Sequence, residues 1–306
     1  MECPGHDMKT LMKFGLRVHP YVLLLVALSI ACQAKLPAEQ NLQQSVVIMT
    51  YNVRYDNPGD GVDAWPHRRD RVAGLIRFHG ADVAGLQEAQ RNQIEDLVER
   101  LPEYGWYGVG RDDGASAGEF VPIFYRTDRF AAQDTGTFWL SPAPDGPGPP
   151  AWDAAITRIV SWAQLAERDT GRSFFVFNAH FDHVGEVARK ESARLVLDRI
   201  GSMTANHPVV LLGDLNAEPD SDVYAILASG EGVGQRLVDS AVATSGAYGP
   251  EATFFGFEVS ERPGRRIDYI FFSESVVALR YGVLSDQFGG RYPSDHLPVL
   301  AEIVIP

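Results

Sequence analysis

Polar side chains that can bind a cation or transfer a proton follow several apolar stretches of this sequence. Asp295 and His296 stand side by side before an apolar run, and Glu88 closes another one upstream. Asp214 and Asn216 follow a third apolar run, Val-Val-Leu-Leu-Gly. Divalent cations take hard oxygen ligands, and a phosphate group needs hydrogen-bond donors around it. Such residues at several strand ends are typical of a divalent-cation phosphoesterase.

Each motif taken alone also has a simpler explanation. Asp214 and Asn216 are turn-forming residue types, and Asn52 after an apolar run could also belong to a turn. Glu88 could be a solvated acid at a strand end, and His180 could be a structural histidine in the core. Their joint occurrence, each at the end of an apolar run, favours a shared functional site.

The apolar pattern predicts strands interleaved with a few helices. Short apolar runs predict strands at Val46–Tyr51, Ala81–Glu88, Trp106–Val109, Val121–Arg126, Phe138–Leu140, Ile156–Leu165, Phe174–His180, Val209–Gly213, Ile267–Phe272, Val276–Val283 and Leu297–Ile305. Amphipathic spacing predicts helices at His67–His79, Asn92–Leu101, Glu186–Ile200 and Ser221–Leu227. This order predicts two packed sheets with helices outside and the polar clusters at one rim.

Composition is that of an ordinary folded protein. Of the 306 residues, 45% are apolar and 22% are charged, and the formal net charge is −13. No long basic run indicates broad nucleic-acid affinity, although a locally basic cleft would still permit it. Both cysteines, Cys3 and Cys32, precede the predicted domain, which excludes a thiol nucleophile and a thiolate zinc site there.

The first 32 residues have the pattern of an export signal. Basic residues within positions 9–17 precede an apolar run at 21–31 that is too short to span a bilayer. Two processing sites compete: lipidation of Cys32 as in bacterial lipoproteins, or a conventional cleavage after Ala34. An uncleaved N-terminal anchor is the third alternative. We expect an exported protein that is periplasmic, secreted or an outer-surface lipoprotein.

The order of the motifs resembles the endonuclease/exonuclease/phosphatase superfamily, over about residues 45–305. The matching motifs are Tyr-Asn-Val-Arg, Leu-Gln-Glu, Asn-Ala-His, Gly-Asp-Leu-Asn, Arg-Ile-Asp-Tyr and Ser-Asp-His. The resemblance implies an α/β fold, a four-layer α/β/β/α sandwich with two central, mostly antiparallel sheets. We expect it to occupy residues 45–306, after a polar tether at 33–44.

The resemblance also implies which residues bind the metal and the substrate. Glu88 matches the acid that binds Mg²⁺ or Mn²⁺ directly, with Asn52 and Asp295 completing the surroundings of the ion. Arg54 lies two residues beyond Asn52 and is a candidate contact to the substrate phosphate. Arg158 follows a Pro/Gly-rich loop and is a second candidate for substrate binding.

The remaining matched residues are implied to carry the catalysis. His296 matches the catalytic imidazole, and Asp268 matches the acid that supports it. His180 matches a histidine that contacts the scissile phosphate. Asp214 and Asn216 match the pair that orients the attacking water and the phosphate. A carboxylate beside an imidazole fixes its tautomer and raises its basicity, which suits proton transfer near neutral pH.

The sequence is compatible with three functions, because a fold does not determine a substrate. The first is an exported Mg²⁺- or Mn²⁺-dependent phosphodiesterase or nuclease that works by in-line attack of activated water. The second is a phosphatase for small phosphorylated sugars, inositols or nucleotides, and the third is a non-catalytic binding module. The expected partner is a phosphate ester of a nucleic acid, nucleotide, sugar or lipid headgroup. We expect a monomer that touches a membrane only through a lipid anchor on Cys32.

Overall fold

The computed structural model describes residues 45–205, 207–230, 236–259 and 264–306. The predicted signal peptide, the tether and the lipidation site Cys32 lie outside these residues. Within the described ranges, no helix is long and apolar enough to cross a membrane.

Thirteen strands and five α-helices make up the described part of the chain. The strands are β1 (Ser45–Asn52), β2 (Val83–Gln87), β3 (Tyr104–Tyr107), β4 (Ile123–Arg126), β5 (Phe130–Trp139), β6 (Ile159–Glu167), β7 (Ser173–His180), β8 (Val209–Asp214), β9 (Leu237–Asp239), β10 (Ala247–Tyr248), β11 (Asp268–Ser273), β12 (Val277–Val283) and β13 (Val299–Val304). The helices are α1 (Trp65–Phe78), α2 (Arg91–Arg100), α3 (Glu186–Met203), α4 (Asp222–Ser229) and α5 (Ser240–Ala243). A 3₁₀ helix at Pro58–Asp63 precedes α1.

The strands form two sheets. The first has the order β10-β12-β13-β1-β2-β4-β3, and the second has the order β5-β6-β7-β8-β11-β9. Among the strands of the described residues, β1 with β2, β10 with β12 and β7 with β8 pair in parallel, and the other pairs are antiparallel. The predicted mostly antiparallel character of both sheets is therefore confirmed.

Alternating side chains build the four layers. In β1, Val46 and Ile48 enter a core shared with residues of the second sheet. Met49 and Tyr51 face the other way, into a core shared with α1 and α2. On the outer face of the second sheet, strand residues pack against α3 and α4. Because successive side chains of a strand point to opposite faces, each sheet contacts helices on one side and the other sheet on its second side. The predicted α/β/β/α sandwich is confirmed.

The same alternation positions the polar residues at the strand ends. Asp214 lies two residues beyond Leu212, which faces the other sheet, so its carboxylate also lies on the inner face. Asp214 is the register partner of His180 on β7 and of Asp268 on β11. Asn52 continues the inward-facing set of β1 in the same way. These side chains therefore meet at one rim of the space between the sheets.

Gly213 makes this close approach feasible. Its φ is 147°, and a Cβ there would lie 2.0 Å from the carbonyl oxygen of Ala179 on the neighbouring parallel strand. No L side chain fits that space without moving a backbone. Strand packing therefore requires a glycine at position 213, immediately before the functional carboxylate of Asp214.

The structure also corrects several predicted boundaries. Strand β5 begins at Phe130 rather than at the predicted Phe138. It is the edge strand of its sheet, and its middle residues are exposed to solvent, so they show no alternation of apolar residues. The short elements β9, β10, α5 and the 3₁₀ helix had no prediction. They contain two to six residues each, too few for a hydrophobic period to show.

Candidate active site

His296 and Asp268 form a buried hydrogen-bonded pair. The imidazole Nδ1 lies 2.9 Å from Oδ2 of Asp268, and the Thr253 hydroxyl donates to the same oxygen at 2.6 Å. Burial alone would lower the pKa of His296, but the charge and the hydrogen bond of Asp268 raise it to about 10. The Asp268–His296 pair that the resemblance implied is present. Nε2 of His296 lies 3.8 Å from Oδ2 of Asp214.

The carboxylates of Glu88 and Asp214 can hold a metal ion, and the imidazole of His296 lies beside them. Each offers one ligand atom, and these atoms lie within 4.8 Å of one another. The Asn52 amide donates to Glu88 Oε1 at 2.9 Å and to Asp214 Oδ2 at 3.0 Å, which holds the two carboxylates close. Burial and then Asp268 raise the pKa of Asp214 to about 7, a cost that a bound cation would relieve. The two carboxylates, held close by the Asn52 NH₂ group, offer hard oxygen ligands of the kind that Mg²⁺ and Mn²⁺ prefer.

The metal residues predicted from sequence take different places around this cluster. Glu88 belongs to it, and Asn52 contacts it through the amide NH₂ while its Oδ1 accepts the Arg54 amide. Asp295 lines the same cleft, and its carboxylate lies 3.8 Å from Arg54. Burial raises the pKa of Asp295. Asp214, predicted as a catalytic residue, occupies a ligand position as well.

Three non-glycine residues with left-handed backbone turn the chain at this rim. Arg54, Glu88 and Asn216 have φ values of 56°, 64° and 47°. Such values are uncommon outside glycine and tend to occur at functional sites. Side chains two residues earlier stabilise two of the turns: Asn52 accepts the Arg54 amide, and Asp214 accepts the Asn216 amide at 2.9 Å.

His180 completes the predicted catalytic group. Its Nε2 lies 3.5 Å from Asp214 Oδ2, and the side chain is buried. Burial and then the positive charge of Arg158 lower its pKa well below the usual value, which favours the neutral form of the imidazole. Asn216 donates to the Phe181 carbonyl, which fixes its amide beside the same strand end. The structure thus brings His180, Asp214, Asn216, Asp268 and His296 together.

A buried polar layer below the site was not predicted. Gln87 donates to Thr50 at 3.0 Å and to Asn178 at 2.7 Å, and Asn178 donates to the Leu86 carbonyl at 2.8 Å. These bonds join the two sheets directly under the functional rim. The signal was available, because Gln87 and Asn178 precede Glu88 and His180 inside the recognised motifs.

The site opens into a cleft of about 540 Å³. The two arginines predicted to bind substrate, Arg54 and Arg158, both line it. Arg54 forms an ion pair with Asp60 at 3.1 Å, whereas Nε and Nη1 of Arg158 are buried and have no hydrogen-bond partner among the described residues.

Arg265 also lines the cleft and was not predicted. Phe254 lies there too, with its ring centroid 4.8 Å from that of His296.

Comparisons with known proteins find solved bacterial structures with a similar fold. The structure is similar to a mannosyl-6-phosphatase from Bacteroides thetaiotaomicron, with a TM-score of 0.81 and 39% identity over 85% of this chain and 100% of that one. A protein from Enterococcus faecalis gives a TM-score of 0.79 and 32% identity over 85% of this chain and 100% of that one.

More distant relatives share less of the sequence. Human nocturnin is 22% identical over 290 residues, which cover 83% of this chain and 64% of that protein. The chain spans about two fifths to three fifths of the length of several curated relatives that it matches. The sequence model of the Endonuclease/Exonuclease/phosphatase family matches residues 49–296, and the chain therefore belongs to that family.

Proposed function

We propose that this protein is a divalent-metal-dependent phosphoester hydrolase. The observation that carries the proposal is the meeting of Glu88, Asp214 and the Asp268–His296 pair within hydrogen-bonding and metal-ligand distances at one rim. Such a constellation combines oxygen ligands for a cation with a group that transfers protons.

Glu88 and Asp214 would hold the ion, with Asn52 fixing the distance between their carboxylates. When bound, Mg²⁺ or Mn²⁺ would neutralise charge on the phosphate oxygens and on the leaving group. Asp214 and Asn216 orient the attacking water, which displaces the alcohol in line.

His296 and His180 have different roles in this proposal, because they differ in charge. Asp268 raises the pKa of His296 to about 10, which suits the imidazole to donating a proton to an oxygen of the ester. Asp268 holds the ring in that orientation. His180 is neutral and offers the phosphate a hydrogen bond without adding charge.

For the substrate we propose a small phosphorylated sugar, cleaved as a phosphomonoester. Support comes from the 39% identity to a mannosyl-6-phosphatase over the whole of that chain. The cleft volume lies in the range of small-ligand pockets, and the net charge of −13 disfavours a long polyanion. The sequence alone ranked a phosphodiester first, and hydrolysis of diesters is the second candidate because three arginines line the cleft.

A substrate panel tests the proposal. The purified protein is assayed with Mg²⁺, with Mn²⁺ and with EDTA on mannose 6-phosphate, other sugar phosphates, nucleotides, bis(p-nitrophenyl) phosphate and plasmid DNA. We expect metal-dependent phosphate release, fastest from a sugar phosphate. A preference for the diesters would favour the second candidate. A folded protein that is inactive on every ester would favour the binding-module alternative.

We also propose that the protein is exported. The support is the basic and then apolar pattern of the first 32 residues, with Cys32 as the candidate lipid attachment site.

A further inference from the structure

Arg68 places a buried guanidinium beside the loop that follows β1. The residue lies in the first turns of α1, and only 2% of it is exposed. Its five hydrogen bonds all go to backbone carbonyls. Nε donates to the carbonyl of Asp63 at 2.8 Å, and the two Nη atoms form the other four bonds. Because a guanidinium has five N–H donors, every donor of Arg68 has an acceptor.

Three of these carbonyls belong to one turn of the chain, the Val53–Tyr55 turn. Nη1 donates to the carbonyl of Val53, and Nη2 donates to the carbonyls of Arg54 at 2.7 Å and Tyr55 at 3.4 Å. Arg54, at the centre of the turn, has the left-handed φ of 56°. A non-glycine residue keeps such a conformation only when its surroundings fix it. The planar fork of Arg68 supplies part of that constraint.

Gln93 binds the same turn from the second helix. It lies in α2 and is fully buried. Its Nε2 donates to the carbonyl of Arg54 at 2.8 Å, and its Oε1 accepts the amide of Asp56 at 3.0 Å. The carbonyl of Arg54 therefore receives hydrogen bonds from side chains of both α1 and α2.

The Val53–Tyr55 turn reaches the candidate metal site through Glu88. The backbone amide of Tyr55 donates to Oε2 of Glu88 at 3.2 Å, and the side-chain amide of Asn52 donates to Oε1 at 2.9 Å. Both oxygens of this carboxylate are therefore oriented by residues at the two ends of the turn. Each oxygen has a second lone pair that can bind a cation. Hydrogen bonds of this kind orient a metal ligand, and changing them typically weakens metal binding.

The same guanidinium joins the turn to the segment that precedes His296. Nη1 of Arg68 also donates to the carbonyl of Pro293 at 3.3 Å, and the neighbouring Ser294 hydroxyl donates to the carbonyl of Asn52 at 2.7 Å. Burying a charge costs free energy, and well-packed apolar residues often stabilise a core as much. The five directed bonds of Arg68 therefore indicate a role in fixing the positions of these segments.

We infer that Arg68 and Gln93 are positioning residues for the divalent cation. They fix the carbonyls of the Val53–Tyr55 turn, and the turn sets the orientation of the Glu88 carboxylate. Neither residue lines the cleft, so both act through the backbone and neither is a ligand of the ion. The inference rests on the proposed function, because it concerns the cation of the same site.

Calorimetric titration with Mn²⁺ tests this role without measuring activity. Arg68→Lys keeps the charge but replaces a fork of five donors with three donors on one nitrogen. Gln93→Glu keeps the acceptor Oε1 and loses the donor to the carbonyl of Arg54. We expect each variant to bind Mn²⁺ about tenfold more weakly than wild type, the lower end of the range for groups that orient metal ligands. Circular dichroism checks that each variant is folded.

A double-mutant cycle with Glu88→Gln separates positioning from a general loss of structure. If Arg68 acts through Glu88, Arg68→Lys weakens Mn²⁺ binding no further in the Glu88→Gln background. Arg129→Lys is the matched control, because Arg129 donates to the carbonyl of Ser45 at 3.0 Å, at the end of β1 opposite Asn52. We expect this control to lower Tm and to leave the affinity for Mn²⁺ unchanged.

The possible outcomes are distinct. Weaker Mn²⁺ binding in folded Arg68→Lys and Gln93→Glu, with no further loss in the Glu88→Gln background, supports the inference. Unchanged affinity in the folded variants, or an equal loss in that background, overturns it and leaves the phosphoesterase proposal intact. If Arg68→Lys does not fold, Gln93→Glu decides by the same criteria, since it acts on the same turn. Folded wild-type protein that binds no Mn²⁺ and releases phosphate from no ester overturns the proposed function itself.

Discussion

The Asp268–His296 pair makes the sharpest mutational prediction. If His296 transfers a proton and Asp268 holds it, His296→Ala lowers kcat by about 10²- to 10⁴-fold. Asp268→Asn keeps the shape but removes the charge that raises the imidazole pKa, so the pKa of His296 falls. We expect a smaller loss of kcat in Asp268→Asn than in His296→Ala.

The structure adds a stability cost to the Asp268→Asn change. Oδ2 of Asp268 is hydrogen-bonded to His296 Nδ1 and to the Thr253 hydroxyl. Oδ1 is buried without a hydrogen-bond partner among the described residues. The asparagine oxygen must keep the Oδ2 position, so its NH₂ takes the position without an acceptor. One unsatisfied buried donor costs about 1–3 kcal/mol of the free energy of unfolding. Urea denaturation measures this cost separately from kcat.

The double mutant decides whether the two residues act as one unit. Because both substitutions act through one imidazole, the double mutant should be no slower than His296→Ala. Asp239→Asn is the control, since Asp239 is equally buried and pairs with Arg266 at 2.7 Å away from the cleft lining. It should lower stability and leave kcat unchanged. Fully additive losses of kcat in the Asp268 and His296 variants, with circular dichroism unchanged, would refute the pairing.

Three further predictions concern the metal, the buried polar layer and export. In calorimetric titrations, Glu88→Gln should bind Mn²⁺ at least about tenfold more weakly than wild type, and the exposed control Glu95→Gln should not; equal affinities would remove Glu88 from the site. Gln87→Leu should lower the free energy of unfolding in urea by about 1–3 kcal/mol, since it leaves the buried Asn178 oxygen unpaired; an unchanged midpoint would contradict that role. Radioactive fatty acid should label the wild type expressed in bacteria and not Cys32→Ser, and label that persists in the variant would exclude this attachment site.

Much of the rim could be predicted because strand alternation and motif order are local properties. Asp214 and Asn52 continue the rows of side chains that face the other sheet. The two residues therefore come together when the sheets pack. The pairing of Asp268 with His296 was implied by resemblance, and the structure supplies its geometry. The metal cluster was foreseen in part, because the place of Asp214 beside Glu88 depends on which strands are neighbours.

Arg54 and Arg158 were predicted to line the cleft, whereas Glu119, Phe254 and Arg265 were not, because these three come from irregular segments that are distant in sequence. Glu119 and Arg111 belong to a loop between β3 and β4, and Arg158 precedes β6, so no hydrophobic period relates them. Phe254 reaches the site through isolated bridges to Arg265 and His296 outside the named strands, and the preceding residue, Thr253, donates a hydrogen bond to Asp268. Only tertiary packing brings such residues together, and no single segment contains the information.

The most direct test of the central claim is phosphate release from mannose 6-phosphate as a function of free Mg²⁺. The proposed site predicts no turnover in EDTA, recovery that saturates as Mg²⁺ is added, and a shift of that saturation to higher Mg²⁺ in Glu88→Gln. Turnover that persists in EDTA, or a folded wild-type protein that releases no phosphate at saturating Mg²⁺, would contradict the account.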